Sequence, residues 1–140
     1  MIKTYVDANA LIAAFGGHHP ASDAALGVLG DPERCFVATG YLRLETLRKP
    51  MFYARDDEIE FMEAYFAEVA YWIPASDLLT DAALKLAARY DLGAMDALHA
   101  AAAIQAEAEL FVTLERPTKP LHRVPGLTTL SLHPDAGDGP

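Results

Sequence analysis

Four acidic residues stand at comparable places along the chain, either directly after an apolar run or in the first turns of a helix-like segment. They are Asp7, Glu45, Asp96 and Glu115. Carboxylate oxygens are the ligands that Mg²⁺ and Mn²⁺ prefer in proteins. A cation held in this way can activate water and stabilise the charge that develops during phosphodiester hydrolysis. Such chemistry requires a fold that brings the four side chains together.

The first acid lies at a junction between a strand and a helix. Residues 2–6 read as a short buried strand that stops abruptly at Asp7. An apolar helical run follows over residues 10–15. Asp7 is therefore expected at the carboxyl end of a strand.

The second acid lies early in a helix. Residues 35–38 predict another apolar strand, and residues 41–48 predict a helix that ends before Pro50. Glu45 falls about one turn into this helix. It is therefore expected near the helix's amino end.

The other two acids flank a second helix and a strand. Residues 95–108 are rich in alanine and follow Gly93, which predicts a helix with Asp96 in its first turn. Residues 110–113 predict a strand, and Glu115 lies just beyond it.

These elements predict an α/β fold with an open, mainly parallel sheet. A helix that returns over such a sheet runs antiparallel to the strands, so its amino end lies at the strands' carboxyl edge. All four acids are then expected at one edge, where ligands of open α/β sheets bind. Other patterns predict helices over residues 21–29, 56–69 and from about 81 to 90, the last capped by Thr80 or Asp81, and strands over residues 72–74 and 127–132.

Composition limits the kind of protein that carries this edge. With 140 residues and 52% hydrophobic content, we expect one domain over residues 1–132 and a disordered tail over residues 133–140. The chain has a single cysteine, Cys35, so neither a disulfide framework nor a thiolate zinc site can form within it. No apolar run reaches the roughly 18 residues that a membrane span needs, and a signal-peptide pattern is missing, so a cytoplasmic protein without a membrane partner is expected.

The distribution of charge matters more than its sum. A formal net charge of −9 argues against broad nonspecific binding to nucleic acid. Acids crowd residues 56–68, where their spacing predicts a solvated helix face. The positive residues instead gather near Glu45 and Glu115: Arg43, Arg48, Lys49, Arg55, Arg116, Lys119 and Arg123.

Four segments together resemble the motifs of the PIN domain family. They are residues 5–9 (YVDAN), 44–45 (LE), 93–100 (GAMDALHA) and 111–115 (FVTLE). The resemblance spans residues 2–132 and implies a three-layer α/β/α fold. Small prokaryotic members are mostly metal-dependent ribonucleases, including VapC-like toxins of toxin–antitoxin pairs, so it also implies an endoribonuclease that uses Mg²⁺ or Mn²⁺.

The resemblance assigns roles to individual residues. It places Asp7, Glu45 and Asp96 as catalytic, metal-binding acids, with Asn9 and Thr113 supporting them. The family usually carries Asp, sometimes Asn or Ser, at the fourth position, where this chain has Glu115. The longer side chain is expected to bind metal through water or at a second metal position. The basic residues expected to contact RNA phosphates are Arg43, Arg48, Lys49 and Arg116.

Partners follow from the same resemblance. An RNA substrate, a homodimer and an antitoxin protein are implied. The aromatic residues between positions 52 and 72 point the same way, because they exceed what one small core readily absorbs.

Other interpretations remain open for these residues. Asp7 and Asp96 could simply cap helices, and Glu45 could pair with a nearby base on its helix. His99 is expected to pack or to be solvated rather than to catalyse. At the level of function, a PIN domain that binds RNA or protein without cleaving is one alternative. A phosphatase with an aspartyl nucleophile is another, although Asn9 stands where that chemistry commonly needs a second Asp.

Overall fold

The computed structural model describes residues 1–136. The strands are β1 (Ile2–Val6), β2 (Arg34–Thr39), β3 (Tyr71–Ile73), β4 (Leu110–Thr113) and β5 (Thr129–Ser131). The helices are α1 (Ala8–Gly16), α2 (Ser22–Leu29), α3 (Gly40–Phe52), α4 (Asp56–Ala67), α5 (Asp77–Tyr90) and α6 (Ala94–Gln105). Turns of 3-10 helix cover Pro120–Arg123 and Pro134–Ala136.

The five strands form one parallel sheet in the order β3-β2-β1-β4-β5. The register pairs Tyr5 of β1 with Val37 of β2 and with Phe111 of β4. Because every pairing is parallel, all strands end at the same edge, which we call the carboxyl edge. With the six helices, the sheet forms the predicted three-layer α/β/α arrangement.

The central strands are buried because their side chains are covered on both faces, as parallel sheets require. Tyr5 is inaccessible to solvent and stacks on Phe111, with ring centroids 5.4 Å apart and ring planes 5° from parallel. The largest fully buried apolar side chains are Tyr5, Phe111, Leu11, Leu42, Met62 and Leu79. This core fixes the strand ends that carry the acids.

Helix boundaries differ most from the sequence prediction at three places. Helix α3 does not end before Pro50 but continues to Phe52, because the carbonyls of Lys49 and Pro50 accept bonds from Tyr53 (3.0 Å) and Arg55 (2.8 Å). Helix α5 starts earlier than predicted. Its cap is Ser76, whose hydroxyl accepts a bond from the Leu79 amide at 3.1 Å, and not Thr80 or Asp81. Helix α6 ends at Gln105 instead of residue 108.

A short 3-10 turn follows β5. Pro134–Ala136 form a 3-10 turn inside the segment predicted to be disordered, and residues 137–140 lie outside the described part of the chain. Within residues 1–136, no helix combines the length and apolar character that crossing a membrane requires.

Candidate functional site

Asp7 stands where β1 ends at the carboxyl edge. Its amide donates to the Val112 carbonyl of β4 at 2.9 Å, and its carboxylate accepts a bond from the Ala10 amide at 2.9 Å, which caps α1. Burial raises the pKa of Asp7 to about 6, although hydrogen bonds from Thr113 and Ala10 oppose this. The Asp96 carboxylate contributes to the raised pKa, whereas His99 opposes it. The capping interpretation and proximity to a second acid therefore both hold for Asp7.

Asp96 lies in the first turn of α6 and is electrostatically coupled to the other acids. Partial burial raises its pKa, and the carboxylates of Glu115 and Glu45 raise it further, while His99 lowers it. The fold thus brings Asp96 close enough to Asp7, Glu45 and Glu115 for their charges to interact. Each comes from a different segment of the chain.

Glu45 is held by a histidine that the sequence did not single out for function. His99 of α6 is 3% exposed, and its Nε2 is hydrogen-bonded to the Glu45 carboxylate, whose side chain is 34% exposed. On the other side of the ring, Nδ1 lies 2.5 Å from the Tyr5 hydroxyl. His99 is buried, as the packing alternative expects, but both ring nitrogens have polar partners. The available signal was its spacing of three residues from Asp96, which places both on one helix face.

The backbone at Glu115 is fixed on both sides. Its amide donates to the Thr113 hydroxyl at 3.0 Å, while its carbonyl accepts bonds from Ser131 at 2.6 Å and His122 at 3.1 Å. Thr113 is fully buried and also bonds to Asp7, so it links the first and fourth acids.

Two cavities open beside these acids. One, of about 450 Å³, is lined by residues that include Asn9 and Glu115. The other, of about 290 Å³, has Asp96, Glu115 and Lys119 in its lining. Glu115 therefore lies between two spaces that a substrate could enter.

Residues 4–119 match the family model described as "PIN domain". The chain belongs to the PIN domain family. A comparison with curated protein sequences found no significant match.

Solved structures share this fold over nearly the whole chain. VapBC2 from Rickettsia felis, bound to a promoter DNA fragment, aligns with a TM-score of 0.69 at 17% identity, covering 91% of this chain and 97% of that one. DNA-bound VapBC from Salmonella typhimurium gives 0.68 at 14% identity, with 94% and 99% covered. A toxin–antitoxin complex from Klebsiella pneumoniae gives 0.66 at 21% identity, with 90% and 96% covered. At these identities the likeness establishes the fold.

In this PIN domain, the four basic residues predicted to contact RNA differ in their surroundings. Arg43 forms a two-pronged pair with Glu63 of α4, at 3.0 and 3.2 Å, and Arg116 lies 3.9 Å from Asp135. Arg48 and Lys49 are exposed on α3. They lie about one turn further along the helix than Glu45, away from the carboxyl edge. Among the basic residues that the sequence places near Glu45 and Glu115, Lys119 lines a cavity together with Asp96 and Glu115.

The donor set of the PIN domain suits a hard divalent cation. Among residues 1–136, no group of three or more His, Cys, Asp or Glu side chains is arranged so that it could hold a metal ion. Asp96 nevertheless interacts electrostatically with the other three acids, and burial raises the pKa of both Asp7 and Asp96. Mg²⁺ keeps several of its waters and needs only a few direct oxygen ligands. The all-oxygen chemistry of this open cluster, rather than a ready-made arrangement of ligands, therefore fits Mg²⁺ or Mn²⁺.

Proposed function

We propose that this PIN domain is a metal-dependent endoribonuclease that hydrolyses RNA phosphodiester bonds. The observation that carries the proposal is the coupling of Asp7, Glu45, Asp96 and Glu115 at the carboxyl edge of a PIN fold. Helix capping accounts for one hydrogen bond of Asp7, but it does not account for four acids in one cluster. Structural acids are more often paired with bases than with one another.

Each acid has a distinct part in this proposal. Asp7 and Asp96 would hold the cation directly, and Glu115, longer than the Asp usual in the family, would reach it through water or at a second position. Bound Mg²⁺ or Mn²⁺ supplies charge stabilisation and a more acidic water. Glu45 has one carboxylate oxygen on His99 and remains partly exposed, so its other oxygen is available to complete the metal's ligands or to orient the attacking water. Thr113 and Asn9 support the acids, Thr113 by bonding Asp7.

The RNA backbone is docked by basic side chains near this edge. Lys119 is the best placed, because it lines the cavity that also contains Asp96 and Glu115. We expect Arg116 to contact phosphates beside the site, and Arg48 and Lys49, one turn further along α3, to contact phosphates farther from it. Arg43 can contact a phosphate only after its ion pair with Glu63 opens. Both side chains of that pair are accessible to solvent, so opening it costs little.

We infer that the domain acts as the toxin of a toxin–antitoxin pair and forms a homodimer. The solved structures with the same fold include toxin–antitoxin complexes, which supports an antitoxin protein as partner. Exposed apolar residues at the carboxyl end of α3, with Phe52 80% and the following Tyr53 58% exposed, support a protein contact.

The test is cleavage of RNA by purified protein. We expect cleavage with Mn²⁺ or Mg²⁺ that stops in excess EDTA, and loss of most activity in Asp7→Asn and Asp96→Asn with unchanged circular dichroism. Glu60→Gln removes one charge from the exposed face of α4 and is the matched control, which should cleave normally. Full activity of both aspartate variants would refute the assignment.

The alternative is a PIN domain that binds RNA without cleaving it. The open cluster and the replacement of Asp by Glu115 favour it. RNA binding by wild type without products in any divalent cation would select this alternative.

A further inference from the structure

A chain of hydrogen bonds runs through the protein interior to Glu45. The Tyr5 hydroxyl lies 3.0 Å from the Thr39 hydroxyl and 2.5 Å from Nδ1 of His99, whose Nε2 contacts Glu45. The Thr39 hydroxyl accepts a bond from the Leu42 amide at 3.1 Å and so caps α3. We call Thr39, Tyr5 and His99 the Glu45 relay. All three are at most 3% exposed.

Hydrogen-bond counting gives the relay one direction. An ionised Glu45 carboxylate can only accept, so Nε2 of His99 carries a hydrogen. In a ring that carries only this hydrogen, Nδ1 accepts from Tyr5, and Tyr5 accepts from Thr39. Every hydroxyl donates once and accepts once. In the reverse direction the Thr39 hydrogen would lack an acceptor among the described residues.

The relay joins the three segments that carry the first three acids. Tyr5 lies two residues before Asp7, on the same side of β1. Thr39 opens the helix that contains Glu45, and His99 lies one turn after Asp96 on α6. A displacement of any segment would break a buried hydrogen bond. The relay therefore ties the orientation of Glu45 to the positions of the other acids.

We propose that His99, supported by Tyr5 and Thr39, is the positioning residue that holds the Glu45 carboxylate in its working orientation. The inference rests on the proposed function, because that function gives Glu45 its role. A glutamate has several rotatable bonds, and a fixed donor on one oxygen leaves the other aimed at the site. His99 itself does not contact the reacting phosphate in this scheme.

Two substitutions of His99 separate positioning from packing. The amide nitrogen of His99→Gln reaches the place of Nε2 and can still donate to Glu45. The shorter amide of His99→Asn reaches only the place of Nδ1 and can contact Tyr5 but not Glu45. Both variants place an amide in the same buried space.

A second pair of variants tests the far end of the relay. Tyr5→Phe removes the bridging hydroxyl and keeps the stacking on Phe111. Tyr65→Phe is its matched control, because the Tyr65 hydroxyl is also buried but has no hydrogen-bond partner among the described residues. Tyr65→Phe should leave cleavage and metal binding unchanged.

The readouts are kcat for RNA cleavage, the Kd for Mn²⁺ measured without RNA, and the melting temperature. We expect His99→Asn to lower kcat and weaken Mn²⁺ binding by about 10-fold or more, as for other residues that orient metal ligands. His99→Gln should recover most of both, and Tyr5→Phe should lose less than His99→Asn. If His99→Asn does not fold, the comparison of Tyr5→Phe with Tyr65→Phe tests the relay instead.

The possible results distinguish failure of the relay from failure of the ribonuclease proposal. If wild type binds Mn²⁺ but cleaves no RNA, the ribonuclease proposal fails, and the Mn²⁺ affinities of the four variants still test the relay. Equal effects of His99→Asn and His99→Gln on Mn²⁺ binding and kcat, or of Tyr5→Phe and Tyr65→Phe, would overturn the relay. A wild type that binds no Mn²⁺ would overturn both.

Discussion

Asp7 stabilises the fold through one oxygen and destabilises it through its charge. The carboxylate caps α1, but burial and Asp96 raise its pKa from an ordinary value of 3.8 to about 6. A raised carboxyl pKa means that the folded state binds the proton more tightly than the unfolded chain. The stability that this provides is complete below about pH 4 and is lost as the pH rises through about 6. At neutral pH without metal, the charged Asp7 therefore opposes folding.

This pH dependence of stability predicts how Asp7→Asn changes the melting temperature. Asparagine caps helices as well as aspartate does, so α1 keeps its cap while the buried charge disappears. In EDTA at pH 8 we expect Asp7→Asn to melt several degrees above wild type, since about 1 kcal/mol corresponds to roughly 3–5 °C in a domain of this size. At pH 4 the gain should vanish. Thermal scans at both pH values check this, and a gain that is independent of pH would contradict it.

The metal should show the complementary pH dependence. Cations compete with protons for the same carboxylates, so Mn²⁺ affinity should fall as the pH decreases through about 6, where Asp7 takes up its proton. Titrations at pH 5, 6 and 7.5 measure this. The same affinity at pH 5 and 7.5 would mean that Asp7 is not a ligand.

At the scale of elements, α3 has the most connections to the site. It begins at Thr39 on the carboxyl edge, carries Glu45, and is joined to α4 through Arg43 and Glu63. Its first turn depends on a threonine that also belongs to the Glu45 relay. The start of this helix and the orientation of its acid are therefore set by the same hydroxyl.

Two helix caps provide a matched comparison. Thr39→Ala and Ser76→Ala each remove a side chain that accepts a hydrogen bond from the third residue of its helix. Each should cost about 1 kcal/mol of unfolding free energy, measured by urea denaturation. Only Thr39→Ala should also reduce RNA cleavage, because only Thr39 supports Tyr5, and Thr39→Ser should restore it. Equal cleavage by the two alanine variants would separate the α3 cap from the site.

The strands were predictable because local composition determines them. Residues 2–6 and 110–113 were located correctly, since short apolar runs bounded by polar residues suit a buried parallel strand. The cap at Ser76 was not predicted, because the first turn of α5, residues 77–80 (DLLT), has only a weak helical pattern. Pro50 was misread because tertiary packing tolerates a proline near the end of a helix.

The site was predictable in part for a related reason. Parallel topology alone brings the ends of strands and the starts of helices to one edge, so the four acids could be grouped from sequence. The bond between His99 and Glu45 joins residues 54 positions apart and requires the packing of α6 beside α3. No local pattern encodes that pairing.

At the scale of the whole molecule, the exposed apolar end of α3 is uncovered. Phe52 and Tyr53 pack edge to face, with centroids 4.9 Å apart, and remain largely exposed. We expect a dimer by light scattering at high micromolar concentration. Phe52→Glu should shift it toward monomer, whereas Leu26→Glu, at an exposed position of α2, should not. A strict monomer in the wild type would refute the homodimer.

The divalent-cation site is tested most directly by calorimetric titration of Mn²⁺ into the apo protein at pH 7.5. We expect saturable binding by wild type, loss of most of that binding in Asp7→Asn and Asp96→Asn, and a smaller loss in Glu115→Gln. Glu60→Gln should bind as wild type does. Absence of binding in the wild type, or wild-type affinity in Asp96→Asn, would contradict the claim that the carboxyl edge of this PIN domain is a divalent-cation site.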